Sequence, residues 1–272
     1  MFRVVPTKKL SFVCVNALTC RLLFACGIGA VLSKKPIALH GLLSVCIFCA
    51  RVVQFLGKQF VLTEDDMKYG FMPKLMWKVF RGSFEKAAAT QLNEENAKAL
   101  MDKAQIKYKE ILSEVNEFEK GDRFLVNILS CAMLASVLLV SDKKYDLEEV
   151  RNFYRTAMIT NKVLRMKAQS NVSYTEKGRK KLKAQAAKSQ KSSNPYSWRF
   201  TVSDGENINK YTAHFYTCGI CYLMKQLGLF EYVPALCSLD YDLAAMNNTV
   251  FTRDHTIAEG ANNCDCHYSH RV

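Results

Sequence analysis

The sequence contains no Gly-x-Ser-x-Gly, no His-Glu-x-x-His and no P-loop. Each of these spacings serves one mechanism, so serine hydrolase, zincin and nucleotide-hydrolase chemistry find no support. No nucleic-acid-binding module is recognisable, and nucleic acid is not expected as a partner. Acidic residues are scarce, 25 against 38 Lys and Arg, which leaves a net charge of +13. That surplus suits either a solvated basic face or attraction to an anionic substrate or surface. The eleven cysteines are odd in number and spread over 272 residues, unlike a disulfide framework. Cys218-x-x-Cys221 in so long a chain reads as reduced thiols, which points to the cytoplasm.

A clean membrane span is also missing. Residues 10–32 are apolar-rich and follow Arg3, Lys8 and Lys9, but Asn16 and Arg21 interrupt them. The run 41–57 is short and carries Arg51, and no small-x-small cleavage site stands out. Residues 1–66 therefore read as an apolar leader. It is either membrane-associated through residues 10–57 or a stretch upstream of the true start. Thr63-Glu-Asp-Asp66 is a polar break, and Met67-Lys-Tyr-Gly-Phe-Met-Pro73 opens like a domain. Membrane contact is expected only if residues 1–60 belong to the protein.

Residues 67–272 read as one α+β domain, helical over 73–190 and sheet-forming over 196–272. Pro73 suits a first helical turn, and Trp77, Phe80 and Phe84 share one face. Asn93 is the expected N-cap of the next helix, with Glu94 and Glu95 in its first turn. That helix runs to about Glu117, with Leu100, Ile106 and Ile111 inward. Gly121-Asp122 breaks the pattern. Phe124 to Val140 is apolar all round and becomes the central core helix, with Cys131 a buried inert thiol. Asp146 caps a helix whose inner face takes in Phe153, Tyr154, Ala157, Met158, Val163 and Leu164. The basic run from Lys162 to Lys191, Arg179 included, reads as a solvated helix ending in a Ser-rich linker.

From Trp198 the period changes to two. Trp198–Val202 and Tyr211–Tyr216 form a hairpin about Asp204-Gly205. A helix follows from Cys218 to Gly228, and another from Pro234 to about Met246. Strands are expected at Val250–Ile257 and Cys264–His270, with a turn at 259–263. The result is a mostly helical N-terminal part packed on a small C-terminal antiparallel sheet with two inserted helices. Cys218 at the helix start would have its thiol pKa lowered by the dipole. Cys237 and Asp240 share a helical side. Cys264 and Cys266 point one way from their strand and Asp265 the other. Three readings stay open: zinc on Cys218 and Cys221 with two of Cys237, Cys264, Cys266 or His267; buried structural thiols; or a catalytic pocket. No cofactor is required; zinc, if bound, would take Cys218, Cys221, Cys264 and Cys266.

Tyr216-Thr-Cys-Gly-Ile-Cys221, Leu236-Cys-Ser-Leu-Asp-Tyr241, Arg253-Asp-His-Thr-Ile-Ala-Glu-Gly260 and Cys264-Asp265 come in one order. So ordered, they resemble the L-2-amino-thiazoline-4-carboxylic acid hydrolase family. Met72-Pro-Lys74, the Trp77–Phe84 helix and Trp198-Arg-Phe200 extend the likeness over about 67–270. The resemblance implies hydrolytic opening of a small cyclic thio-amidine bearing a carboxylate, on a route through carbamoyl-cysteine to cysteine. It further implies Cys218 or Cys264 as nucleophile or metal ligand and Asp265 as general base or orienting group. Arg253 would hold the substrate carboxylate, and Thr256 and Asp240 complete the binding residues. The family pattern has Cys-Asp-Phe and a basic residue where Cys266 and His267 stand here. It has a glycine-rich acidic turn at 261–263, here Ala-Asn-Asn. The competing reading is a non-catalytic small-molecule- or metal-binding module of the same fold. Nothing in the sequence sets an oligomeric state.

Overall fold

The structure, a computed structural model, describes residues 69–119 and 121–271. The apolar leader expected at residues 1–66 lies outside the described residues. Among those described, no helix is long and apolar enough to cross a membrane.

The helical half is built around α3 (Leu125–Val140), whose residues 128–137 are all buried. Its composition demands this, because a helix with no polar stripe has no face to offer water. Packed about it are α1 (Met72–Gln91), α2 (Ala97–Glu114) and α4 (Leu147–Ile159). Trp77, Phe80 and Phe84 of α1 face inward, and Phe84 meets Phe153 of α4 edge-on with centroids 5.5 Å apart. Asp146 caps α4 in a complete capping box with Glu149.

Three local expectations are corrected. Asn93 does not cap α2; it takes a φ of 51° beyond the end of α1, while Glu94 N–H returns to Ala88 O. The cap is Asn96, whose side chain accepts from Ala99 N at 3.1 Å. Glu94 instead accepts from Tyr145 Oη and meets Lys143. Ile106 is 65% exposed, whereas Leu100 and Ile111 are buried. Six residues from Leu100 is about 240° of helical rotation, which turns it to solvent. Val163 and Leu164 do not extend α4. Asn161 breaks the chain there and caps a separate short helix, α5 (Lys162–Ala168), while its Nδ2 donates to Val79 O at 2.9 Å.

The basic helix α6 (Glu176–Ser189) is solvated along most of its length, but Arg179 is not. It lies 4% exposed over the Tyr211 ring and donates to Asp204, to the carbonyls of Ile208 and Lys210, and to Ser173 O. One guanidinium thereby closes the hairpin between β1 (Phe200–Asp204) and β2 (Lys210–Phe215). Strand β1 begins two residues later than its alternation suggested, because Arg199 N–H goes to Thr217 Oγ1 instead of a ladder partner.

Helices α7 (Gly219–Gln226) and α8 (Val233–Met246) follow, then β3 (Thr249–Thr252) and β4 (Cys264–His270). The four strands form an antiparallel sheet in the order β1-β2-β4-β3. Leu182 of α6 packs with Phe200, and Ala244 of α8 with Phe251, so both helices cover the same face. Phe124, at the start of α3, stacks on Trp198 and meets Phe200 and Phe215 edge-on, which locks helices to sheet.

Arg179→Ala removes a donor from the carbonyls of Ser173, Ile208 and Lys210 and leaves Asp204 paired with Lys183 alone. We expect a loss of about 3 kcal/mol in urea unfolding, against a change within about 0.5 kcal/mol for exposed Lys181→Ala. Equal effects of the two changes would remove Arg179 from this role.

Candidate active site: a thiol-lined hollow under the sheet

The hairpin delivers the chain at Thr217 to Cys218, which is the N-cap of α7; its Sγ accepts from Cys221 N at 3.5 Å. Gly219 is required next, because a Cβ there would stand 1.9 Å from Tyr196 O. Pro234 opens α8, and Cys237 and Asp240 fall one turn apart on its inner side. Cys264 and Cys266 alternate on the covered face of β4.

These elements enclose a hollow of about 230 Å³. Cys218, Cys237, Asp240, Arg253, Cys264 and Cys266 line it, with Phe124, Phe215 and Tyr268 as aromatic walls. Arg123 and Asn127, both exposed, form its mouth. Cys221 is not on this wall. It faces a wider surface cavity of about 760 Å³ with Arg199, Tyr222 and Lys225, and Cys218 borders both spaces.

At the centre, Arg253 Nη1 donates to Asp240 Oδ2 at 2.9 Å and Nη2 to Cys237 O at 2.6 Å. Its guanidinium lies over Tyr241 and Phe251, each 5.3 Å away. The Arg253 side chain is 8% exposed and that of Asp240 is 47% exposed. Asp240 is among the residues lining the hollow. Burial pushes its pKa above the ordinary value, against the downward pull of Arg253.

All four thiols of the hollow are raised. Cys218 is held well up by the hydrogen bond with Cys221 and by burial, which outweigh the N–H groups of Cys221 and Ile220. The expected lowering by the helix dipole is therefore corrected: the Cys221 hydrogen bond and burial together outweigh it. Burial raises Cys237 and takes Cys266 to about 12. Cys264 is also raised by burial, but Ile257 N–H on its sulfur at 3.2 Å, and Arg253, pull it back.

Asp265 and Thr256 lie elsewhere. Thr256 caps the single 3₁₀ turn Ile257–Glu259, accepting from Glu259 N at 3.2 Å and donating to its carboxylate at 2.8 Å. Asp265 points to the opposite face of the sheet, as alternation requires. Its carboxylate accepts Asp254 N–H at 3.2 Å and His255 N–H at 3.0 Å. Those bonds explain why β3 stops at Thr252 and does not continue to Ile257: the next amides leave the ladder for Asp265. Burial pushes this carboxyl up, but the His255 and Asp254 N–H groups outweigh it and hold it at about 2. Asp265 thus lies across the sheet from the hollow, and its two amide partners hold the turn that directly follows Arg253.

The proposed sulfur set for zinc is not assembled. Among the described residues, the group of three metal-ligating atoms that come within 4.8 Å of one another is Asp254, Asp265 and His267, none a thiol. Asn127 and Arg123 at the mouth escaped the sequence reading. The polar interruption of an otherwise apolar helix by Asn127 was the available signal.

Gly219→Ala should cost about 1–3 kcal/mol in urea unfolding as α7 shifts away from Tyr196; an unchanged midpoint would contradict the close approach. The folded pKa of Asp265, about 2, is below its ordinary 3.8, so its contribution is present above the latter and lost as pH falls through the former. Asp265→Asn should be less stable at neutral pH, with a flatter stability profile between about pH 4 and pH 2. Superimposable acid profiles would refute this.

The family model described as L-2-amino-thiazoline-4-carboxylic acid hydrolase matches residues 126–268, just over half of the chain. No curated protein and no solved structure matches it. The matched segment starts in α3, ends in β4, and carries every residue lining the hollow except Arg123 and Phe124. The chain belongs to the L-2-amino-thiazoline-4-carboxylic acid hydrolase family.

Proposed function

We propose that the protein hydrolyses a small cyclic thio-amidine bearing a carboxylate, and that Asp240 is its general base and acid. The observation that carries this is the Asp240–Arg253 pair: a carboxylate with a raised pKa, held beside a guanidinium, open to a hollow of small-molecule size. A base is most effective when its pKa approaches the working pH, and burial moves Asp240 in that direction. Arg253 holds the substrate carboxylate with the N–H groups left over from Asp240 and Cys237 O. Arg123 at the mouth draws the anion in.

The steps balance with water alone. Asp240 takes a proton from water as the oxygen adds to the amidine carbon. Asp240 passes that proton to the ring nitrogen as the C=N bond becomes single. The tetrahedral intermediate then expels the ring sulfur as the carbonyl forms, and Asp240 carries the remaining hydroxyl proton to the sulfur. The ring has opened, the carbon has become a urea carbonyl, and a carbamoyl-cysteine-like thiol leaves. With the four thiols of the hollow all raised, water is the nucleophile that fits the resting state. A covalent route through Cys264 is the second reading, favoured by the Ile257 N–H on its sulfur. Cys266, where the family pattern carries an aromatic residue, leaves more room beside the reacting ring.

The test is incubation of the full chain with L-2-amino-thiazoline-4-carboxylic acid, with released thiol measured colorimetrically. Thiol release is expected, reduced about 10²–10⁴-fold in Asp240→Asn, with KM raised in Arg253→Lys. Full turnover by Asp240→Asn together with its loss in Cys264→Ser would replace the water route by the covalent one. Calorimetric binding without thiol release would leave a non-catalytic binding module.

A further inference from the structure

A second chemical cluster lies on the opposite face of the sheet. The whole chain has five histidines, and three of them surround one buried carboxylate, Asp265. His214 stands directly across the β2–β4 ladder from it. His267, two residues along β4, brings Nε2 to 3.2 Å from Asp265 Oδ2. His255, on the turn, places Nδ1 3.5 Å from Oδ1. Asp254 supplies a second carboxylate, and ligand atoms of Asp254, Asp265 and His267 lie within 4.8 Å of one another. The chain carries 38 Lys and Arg, yet the described ion pairs of Asp265 are with histidines alone.

Two further details fit a cation. Donors about 2.0–2.1 Å from a common zinc-like ion stand about 3–3.5 Å from each other, the spacing of His267 and Asp265. A metal-binding histidine is ordinarily held through its other nitrogen. Here His267 Nδ1 is 2.9 Å from Thr212 Oγ1, which fixes the ring and leaves Nε2 facing the carboxylates.

We propose that Asp254, Asp265 and His267 form a site for a divalent transition-metal ion of the zinc or cobalt class, with His255 or a water as fourth donor. The imidazole selects this class over magnesium and calcium, which favour oxygen alone. Because Asp265 also holds the amides of residues 254 and 255, the ion would clamp the Arg253 turn to β4. The site is distinct from the hollow and independent of the hydrolase reading.

Titrating the full chain with Co²⁺ tests it, by calorimetry and visible absorption. One ion per chain is expected, with a spectrum of nitrogen and oxygen donors and no sulfur-to-cobalt charge-transfer band. Affinity should fall at least about 10-fold in His267→Ala and about 10-fold in Thr212→Val, which removes no ligand and so guards against a misfolded variant. Three results would each overturn the proposal: no uptake, uptake accompanied by the thiolate band, or undiminished uptake in both variants.

Discussion

One buried carboxylate decides the geometry of the C-terminal half. Asp265 accepts the backbone amides of Asp254 and His255, and in doing so ends β3 and turns the chain back across β4. Arg253 is the residue before that turn, and it is thereby aimed through to the other side of the sheet, onto Asp240. Four residues later the same loop brings Ile257 N–H onto the sulfur of Cys264. Losing the carboxylate would unseat the cation and the thiol donor of the hollow together, although Asp265 touches neither.

Desolvation sets the chemistry inside. A space walled by Phe124, Phe215 and Tyr268 disfavours charge, so thiols stay protonated and the Asp240 carboxyl is pushed up. Arg253 keeps its own charge against burial because Asp240 and its neighbours stabilise it. The four sulfurs then act as a small, soft, neutral lining around one ion pair. Under the proposed function, that lining favours proton transfer at Asp240 over thiolate attack.

Much of the scaffold was legible in the residues. The all-round apolarity of Phe124–Val140 could only be satisfied by full burial, and residues 128–137 are buried. Asp146 read as an N-cap and caps α4, and the alternation of Cys264, Asp265 and Cys266 correctly separated thiols from acid. Boundaries that depend on competition were not legible. Asn93 and Asn96 are both good caps, and tertiary contacts of Glu94 with Tyr145 and Lys143 favour the second. Arg179 sits in a run of exposed lysines, and nothing local distinguishes it from them, because its acceptors are carbonyls of a hairpin some thirty residues on.

The sequence by itself determined the helical core, the order of the hairpin and inserted helices, and the family motifs, because these follow from periodicity, capping and local spacing. Tertiary structure alone decided that Asp240, and not Asp265, shares the hollow with Arg253, that Cys221 lines a different cavity from Cys264, and that histidines gather behind the sheet. The reason is physical: a strand or helix pattern says which side a residue takes, but which sides meet depends on how the loop between them spends its hydrogen bonds.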